Sequence, residues 1–182
     1  MLEIIPNKAH LEYVIRQAWS EEFERIGRLT VDIYANLPSM PTRNEQPEYY
    51  SMVQDVAKRA SNPAIRIFAA IAPPGEILGS VDFIHDMTQY GSGGSASQVP
   101  HAAGMRLLAV DDCYKGKGIG KALTQRCIKE ARHLGKKTFV LHTTQAMQIA
   151  WAMYEGVGFK RFPSIDFKQG NLDVFGFSLD LT

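Results

Sequence analysis

Apolar residues recur at helical spacing in two stretches of the first third of the chain. Over residues 21–36 they predict an amphipathic helix with Ser20 as its N-terminal cap, because a serine hydroxyl can accept a hydrogen bond from a free backbone N–H. Over residues 47–60 the same spacing predicts a second helix, with Pro47 in its first turn, where the missing N–H is harmless. The segment between them, 38–46, is predicted to be a loop.

Short apolar runs bounded by glycine, proline and polar residues predict the strands. They span residues 12–17, 65–72, 76–84, 105–110, 138–143, 159–165 and 172–181. Pro73-Pro74-Gly75 joins two of them as an antiparallel hairpin, and helices predicted over 119–134 and 145–155 make strand–helix–strand connections in the second half. The pattern therefore predicts an α/β fold (α+β mixed sheet), with a central mixed sheet of six to seven strands flanked by helices on both faces.

The length of the chain fits one domain. Its 182 residues are interpreted as a single domain, 1–182, without a linker to a second core. Residues 1–10 are interpreted as an N-terminal extension. Residues 90–101 are rich in glycine and serine and are predicted to be a flexible loop inserted between two strands, because they offer little apolar surface to bury.

Composition narrows the kinds of partner that the chain can have. A formal net charge of +1 gives no broad basic surface for nucleic acid, and no apolar run approaches the ~20 residues of a membrane span. The 2 cysteines do not make a disulfide scaffold, and no apolar signal-peptide core opens the chain, so cytoplasmic localisation is expected. The 5 histidines show no close ligand spacing, so no metal site is expected.

A turn rich in glycine and lysine follows the strand at 105–110 and leads directly into a helix. It consists of Lys115, Gly116, Lys117, Gly118, Ile119, Gly120 and Lys121. Glycines let a ligand approach the main chain, and the first turn of a helix offers free N–H groups and the positive end of its dipole. The turn therefore predicts a phosphate site, although a tight corner kept soluble by its lysines remains an alternative.

Two common phosphate motifs do not fit this turn. A P-loop needs Ser or Thr after its Gly-Lys pair, and none follows Gly120-Lys121. A dinucleotide-binding turn needs G-x-G-x-x-G or G-x-G-x-x-A, and neither Gly116 nor Gly118 starts such a frame. These mismatches argue against a different nucleotide-binding enzyme that uses the same turn, but they leave it as an alternative.

Two blocks of sequence resemble motifs of the GNAT superfamily of acyl-CoA N-acyltransferases. Residues 107–123 resemble its acyl-CoA-binding motif, with Lys115 in place of the usual Arg or Gln. Residues 150–159 resemble the family's block around a tyrosine and a Gly-Phe pair, and Met147 stands where the family often has Asn. The resemblance covers roughly residues 11–181. It implies an acyltransferase, an N-acetyltransferase that moves an acetyl group from acetyl-CoA directly to a primary amine of a small molecule or peptide.

The resemblance also implies which residues meet acetyl-CoA. They are Leu108, Ala109, Val110, Lys115, Gly116, Lys117, Gly118, Ile119, Gly120, Lys121, Met147, Ala150 and Tyr154. The turn amides are expected to hold the pyrophosphate and the strand edge at 108–110 to meet the pantetheine arm. An N–H near Ala109 or Val110 is expected to stabilise the oxyanion. Tyr154 is implied as the general acid or as a hydrogen-bond donor to the sulfur, with a half-buried core tyrosine as the alternative.

The general base is the least determined role. The central strand carries no acid between Met105 and Val110, so Asp82, which lies mid-strand among apolar residues, is the first candidate. Further candidates, acting directly or through water, are Asp111, His85 and His142. Each of these residues has a structural role as its alternative.

The acceptor pocket is expected between the first two helices and the loops at 38–46 and 90–100. Tyr34, Glu45, Glu48 and Tyr49 lie there and would suit a cationic amine. A homodimer that pairs through the last strand near residues 174–181 is expected by analogy with the family alone. The main alternative to an enzyme is a non-catalytic module that binds CoA or its thioesters as a sensor.

Overall fold

The strands and helices follow one another in nearly the predicted order. The computed structural model describes residues 3–4 and 11–182. Its strands are β1 (Glu3–Ile4), β2 (Val14–Gln17), β3 (Ile65–Ala72), β4 (Glu76–Ile84), β5 (Ala102–Val110), β6 (Thr138–Thr143), β7 (Lys160–Arg161), β8 (Phe167–Gln169) and β9 (Leu172–Asp180). Its helices are α1 (Phe23–Ala35), α2 (Pro47–Gln54), α3 (Val56–Ala60), α4 (Ile119–His133) and α5 (Gln148–Val157). Apart from β1, the predicted extension 1–10 lies outside the described residues.

The strands form a mixed sheet in the order β1-β2-β3-β4-β5-β6-β9-β7, and β8 forms a hairpin with β9. Among the described strands, β5 and β6 are the one parallel pair, because α4 carries the chain back along the sheet between them. The predicted α/β fold with a mixed sheet is confirmed. The two additional strands, β1 and β8, have 2 and 3 residues and are too short for a hydrophobic pattern to reveal them. The strand predicted over 159–165 is only Lys160–Arg161, followed by a 3-10 turn over Pro163–Ile165.

Helices cover both faces of the sheet. On one face, Ile26 of α1 and Val56 of α3 share a buried cluster with Ile67 of β3. On the other face, Leu123 of α4 joins a second cluster with Phe83 of β4. Since β5 lies between these layers at the middle of the sheet, its backbone is held from both sides. No helix of the described residues is long and apolar enough to cross a membrane.

The first two predicted helices differ from the structure at their ends. Ser20 does not cap α1, because a 3-10 turn over Ser20–Glu22 precedes it. The carboxylate of Glu22 accepts a hydrogen bond from the Trp19 N–H at 2.8 Å and makes two more with the Arg16 guanidinium. The helix predicted over 47–60 is broken at Asp55, whose side chain accepts from the Lys58 N–H and so starts α3.

The inserted segment 90–101 is anchored at two positions. Tyr90 and Ala96 are both buried, and the Ser95 hydroxyl donates to the Ser164 carbonyl at 2.8 Å. The expectation that this segment buries little apolar surface is therefore wrong at these residues. Its flexibility stays a prediction.

The proposed dimer edge is partly occupied within the chain. Strand β9 pairs with β6 along one edge, and β7 pairs with Phe177 and Ser178. Pairing across subunits therefore does not have a free strand edge at these two residues. The homodimer itself stays a prediction.

Candidate active site

A β-bulge in β5 interrupts its pairing with β4. Between the pairs Ser80↔Ala109 and Asp82↔Arg106, two steps along β4 match three along β5. Leu107 lies in this bulge with a positive φ of 54°, which is rare for a residue with a branched side chain. Its buried side chain is fixed in a cluster with Val31 and Val53, which offsets the strain. Past the bulge, β5 resumes its pairing with β4 at Ala109 and Val110.

Strands β5 and β6 separate after a short parallel contact. They pair from Ala102↔Thr138 to Gly104↔Val140, and both then continue without pairing to each other. The Asp111 N–H bonds to the Leu78 carbonyl at 2.9 Å. By the alternation of an antiparallel ladder, Ala109 then directs its N–H to β4, while Leu108 and Val110 direct theirs to the gap. The gap therefore offers open N–H groups at Leu108 and Val110, but not at Ala109.

The turn before α4 presents a row of free amides. Gly116 and Gly118 have positive φ values of 75° and 82°, and Gly118 is the residue at which α4 begins. Within the described residues, no acceptor bonds the N–H groups of Gly116, Gly118, Ile119, Gly120 and Lys121. These donors lie at the positive end of a 15-residue helix. They form a cradle of the kind that binds a diphosphate.

The space around the turn glycines is open. A Cβ placed on Gly116 or Gly118 would meet nothing within 4 Å, and one on Gly120 would lie 3.6 Å from the Val110 side chain, an ordinary contact. The protein's own packing therefore does not require glycine at 120. Lys115 is paired with Asp112, the Lys117 ammonium lies 5.0 Å from the centre of the Tyr114 ring, and Lys121 is exposed.

A cavity of about 130 Å³ occupies the gap between β5 and β6. It is lined by backbone and side chains of β5 and β6, by the start of α5 and by tyrosines from the surrounding elements. Four of the predicted cofactor residues line it: Leu108, Met147, Ala150 and Tyr154. The structure thus brings these four together, while residues 115–121 lie beyond the carboxyl end of β5 and not in the cavity.

Tyr154 presents an unbonded hydroxyl to this cavity. The residue is only 5% exposed, and its ring packs edge-on against Phe159 with centroids 5.9 Å apart. Within the described residues its hydroxyl makes no hydrogen bond, which argues against the alternative of a core tyrosine with a satisfied hydroxyl. Burial raises the pKa of Tyr154, so the group keeps its proton at neutral pH. A protonated phenol in this position is able to donate.

Two buried hydroxyls in the cavity are also without partners, and sequence reasoning missed them. Thr143 and Thr144, at the end of β6, line the cavity, and their hydroxyl oxygens have no hydrogen-bond partner among the described residues. A buried polar group left unpaired costs free energy, so such a pair at one end of a cleft points to polar atoms of a ligand. The signal in the sequence was a polar pair following an apolar strand.

Asp82 lies outside the cavity, contrary to the expectation that it faces the cleft. Its side chain is buried and accepts a hydrogen bond from the Arg59 Nε at 2.7 Å, and Arg59 also donates to the carbonyls of Met52 and Val53. Burial raises the pKa of Asp82 against the opposing pull of the Arg59 guanidinium. An ion pair that ties α3 to the sheet is the role its geometry describes.

The other candidate bases are also engaged elsewhere. His85, directly after β4, bonds to the Pro63 carbonyl. Asp111 accepts a hydrogen bond from the Cys113 N–H before the glycine turn. His142 lines the cavity, but Nε2 lies 2.8 Å from the Ile165 carbonyl and Nδ1 lies 3.2 Å from the Tyr90 hydroxyl. Burial lowers the pKa of His142, so it is neutral. With Nε2–H donating to the carbonyl, Nδ1 is an acceptor that faces the Tyr90 hydroxyl, whose single proton also lies within reach of the Met105 carbonyl at 3.3 Å.

The acceptor end of the cavity is only partly as expected. Tyr34 and Tyr49 line it, and the Tyr34 hydroxyl donates to the Leu108 carbonyl at 3.3 Å. Glu45 and Glu48 do not line it, because Glu45 is exposed and bonds to Thr42, and Glu48 is exposed on α2. The described lining therefore contains no carboxylate. It contains instead Arg106, a cation that sequence reasoning passed over.

Comparisons with known proteins agree on the fold. The model of a family described as Acetyltransferase (GNAT) matches residues 31–159, well over half of the chain. A GNAT-family acetyltransferase from Staphylococcus aureus Mu50 is 18% identical, with 93% of this chain and 99% of that chain covered and a TM-score of 0.70. The yncA protein from Salmonella typhimurium, solved with its cofactor acetyl-CoA, is 16% identical, with 93% and 94% covered and a TM-score of 0.66.

One curated relative matches a shorter region. N-acetylaspartate synthetase from Danio rerio is 40% identical over 57 residues, which are 31% of this chain. The match spans 20% of that protein's length. Its likeness to this chain is therefore confined to a segment.

Proposed function

The chain belongs to the acetyltransferase (GNAT) family, and from that premise we propose that it is an N-acetyltransferase that moves an acetyl group from acetyl-CoA directly to a primary amine. One observation carries the proposal. The free amides of Gly116, Gly118, Ile119, Gly120 and Lys121 lie at the end of a strand whose opened edge leads to a cavity with an unbonded tyrosine hydroxyl. Diphosphate, amide-bearing arm and thioester follow one another in coenzyme A as these features follow one another along β5.

The donor side of the proposed reaction rests on the backbone. The N–H groups of Gly116, Gly118, Ile119, Gly120 and Lys121 hold the diphosphate, with the side chains of Lys115, Lys117 and Lys121 adding positive charge around it. The open groups of Leu108 and Val110 bind the pantetheine amides, as an added strand would be bound. The pairing of β5 with β6 ends at Gly104, before the bulge at Leu107, so the arm enters the gap without displacing a strand.

The proposed chemistry uses two groups near the bulge. The N–H of Leu108 or Val110 donates to the thioester oxygen as negative charge builds there, and one such donor typically contributes about 2.7–4 kcal/mol to lowering the barrier. The Tyr154 hydroxyl donates its proton to the sulfur as the carbon–sulfur bond breaks. The amine nitrogen forms the new bond to the carbonyl carbon, and the products are an amide and the thiol of CoA.

The proposed acceptor step has no carboxylate base in the cavity. Asp82 is held by Arg59, and His142 contacts the Ile165 carbonyl through Nε2 and the Tyr90 hydroxyl through Nδ1, so neither is assigned as the base. The neutral amine is therefore the species that reacts, and its proton leaves to water. The Danio rerio relative is named for N-acetylaspartate synthesis. That name supports an amine as the acceptor but does not identify the acceptor of this chain.

Calorimetric titration with acetyl-CoA and a thiol-release assay with a panel of amines test the proposal. We expect binding of acetyl-CoA and amine-dependent release of free thiol. Binding without release for any amine would favour a sensor of CoA thioesters. Thermal stabilisation by ATP or NAD, with none by acetyl-CoA, would overturn the proposal in favour of another nucleotide-binding enzyme.

A further inference from the structure

Arg106 is a cation in an otherwise uncharged cavity. It lies on β5, one residue before the bulge, and is partly buried among the lining residues. Its Nη1 donates to the Tyr90 carbonyl at 3.0 Å, and the missing side chain of Gly91 leaves room for that contact, since a Cβ there would lie 3.0 Å from Nη1. The rest of the guanidinium, which carries several more N–H donors, makes no other hydrogen bond to a described residue.

The charge of Arg106 is not neutralised within the described part of the chain. Asp82 lies directly across from it in the β4–β5 register, but its carboxylate bonds to Arg59. No carboxylate of the described residues forms an ion pair with Arg106, and His142, which shares the cavity, is neutral. Arg106 also attracts the Asp82 carboxylate and lies 5.9 Å from the centre of the Tyr90 ring, but two guanidiniums and one carboxylate still leave a net positive charge there. A partly buried cation without a bonded carboxylate favours an anionic ligand.

The diphosphate of the donor is too far away to be that ligand. Arg106 precedes Asp111 by five residues of strand, or about 16 Å at ~3.3 Å per residue. The turn that holds the diphosphate lies beyond Asp111. Arg106 instead shares the cavity with Tyr154, at the thioester end of the cleft. The anion that it binds must therefore belong to the acceptor.

We propose that Arg106 binds a carboxylate of the acceptor, so that the substrate is a free amino acid and not a polyamine or a lysine side chain of a protein. A guanidinium matches a carboxylate with two parallel hydrogen bonds, and the unpartnered hydroxyls of Thr143 and Thr144 are further donors in the same cavity. This inference rests on the proposed function. The short spacing of amine and carboxylate in an amino acid fits a cavity of about 130 Å³.

The test compares each of the twenty common amino acids with its carboxamide as acceptor, using thiol release from acetyl-CoA. For the best acceptor, we expect the acid to exceed its amide by at least about 30-fold in kcat/KM, as expected for a charged partner lost from a buried pair. Arg106→Gln should abolish that preference by lowering kcat/KM for the acid about 30-fold while leaving the amide within about 3-fold. Arg106→Lys should keep part of the preference for the acid. Arg28→Gln, at an exposed position of α1, serves as the control.

The outcomes separate this inference from the function on which it rests. If acetyl-CoA does not bind, or no amine releases thiol, the proposed function fails first. If amines are acetylated and the unmodified protein accepts acids and amides equally, the role of Arg106 is overturned, whatever happens to its variants. If Arg106→Gln lowers kcat/KM equally for the acid and the amide and also lowers the melting temperature, Arg106 is structural and only holds residues 90–91 in place.

Discussion

Substitution of Gly120 tests the diphosphate cradle without disturbing the protein's own packing. Gly120 is the second residue of α4, its N–H is free, and a Cβ there makes only ordinary contacts with Val110 and Leu108. Gly120→Asp therefore places a carboxylate among the amides of the proposed diphosphate site. Gly120→Asn has nearly the same shape without the charge and is the matched control.

The two consequences of this charge have opposite signs. For folding, a carboxylate in the first turn of a helix contributes about 0.3–1 kcal/mol, and leaving glycine adds a few tenths. In a chain of 182 residues this raises the melting temperature by roughly 1–4 °C. For binding, a unit charge about 4 Å from each of two phosphate charges costs about 2 kcal/mol even at the dielectric constant of water, or about 30-fold in Kd.

Calorimetric titration with acetyl-CoA at low and moderate salt measures this cost against the melting temperature. We expect Kd to rise about 30-fold for Gly120→Asp relative to Gly120→Asn, with the gap shrinking as salt screens the charges. The reasoning is refuted if Asp and Asn bind acetyl-CoA equally while both proteins remain folded. In that case the free amides before α4 are not where the diphosphate binds.

Three further predictions follow from the cavity and from the start of α1. Tyr154→Phe should lower kcat at least about 100-fold. The Kd for acetyl-CoA and the melting temperature should change little, because the Tyr154 hydroxyl has no hydrogen-bond partner among the described residues. An unchanged kcat with saturating amine removes Tyr154 from the reaction. Because the cavity lining has no carboxylate, the pH profile of kcat/KM should rise to a break at the acceptor's own amine pKa and shift with it across acceptors; a break that stays fixed would identify a base in the protein. Glu22→Gln should cost about 1–3 kcal/mol at neutral pH. Burial opposes ionisation of Glu22, but its hydrogen bonds with Arg16 and Trp19 lower its pKa overall. Its contribution to stability is therefore present above the unfolded pKa of about 4.3 and is lost as pH falls through the lower folded pKa. The melting temperatures of the two proteins should converge between pH 7 and 3, and a difference that persists at pH 3 contradicts the assignment.

The fold was predictable where one strong pattern dominated each segment. The hairpin strands at 65–72 and 76–84 match the structure residue for residue, since a turn of prolines and glycine lies between two apolar runs. The helix predicted over 119–134 is α4, and Gly135 directly after that stretch has the positive φ that commonly ends a helix. The break at Asp55 was missed because an aspartate inside a helical pattern is neutral in propensity until its side chain finds a backbone N–H.

The site was predictable in its backbone parts and less so in its side chains. The glycine turn is a local motif, so its free amides followed from sequence alone. The bulge at Leu107 depends on how β5 pairs with β4, and no local signal marks it. The prediction that Asp82 faces the cleft was wrong because alternation along a strand shows only which side of the sheet a residue faces. It does not show that Arg59 binds the side chain there. Arg106 was recognisable in the sequence as a lone cation in an apolar strand.

The absence of a carboxylate base from the cavity and the presence of Arg106 have one explanation under the proposed function. A free carboxylate beside the amine would lie within reach of the guanidinium, and the two would pair, leaving neither to meet the substrate. The cleft avoids this because Arg59 holds Asp82 outside the cavity. The cation that remains then favours the neutral form of a nearby amine, since a positive charge disfavours an ammonium group. Arg106 would in this way bind the acid of the acceptor and promote loss of the amine proton, so the residue that sets specificity also does part of the work of a base.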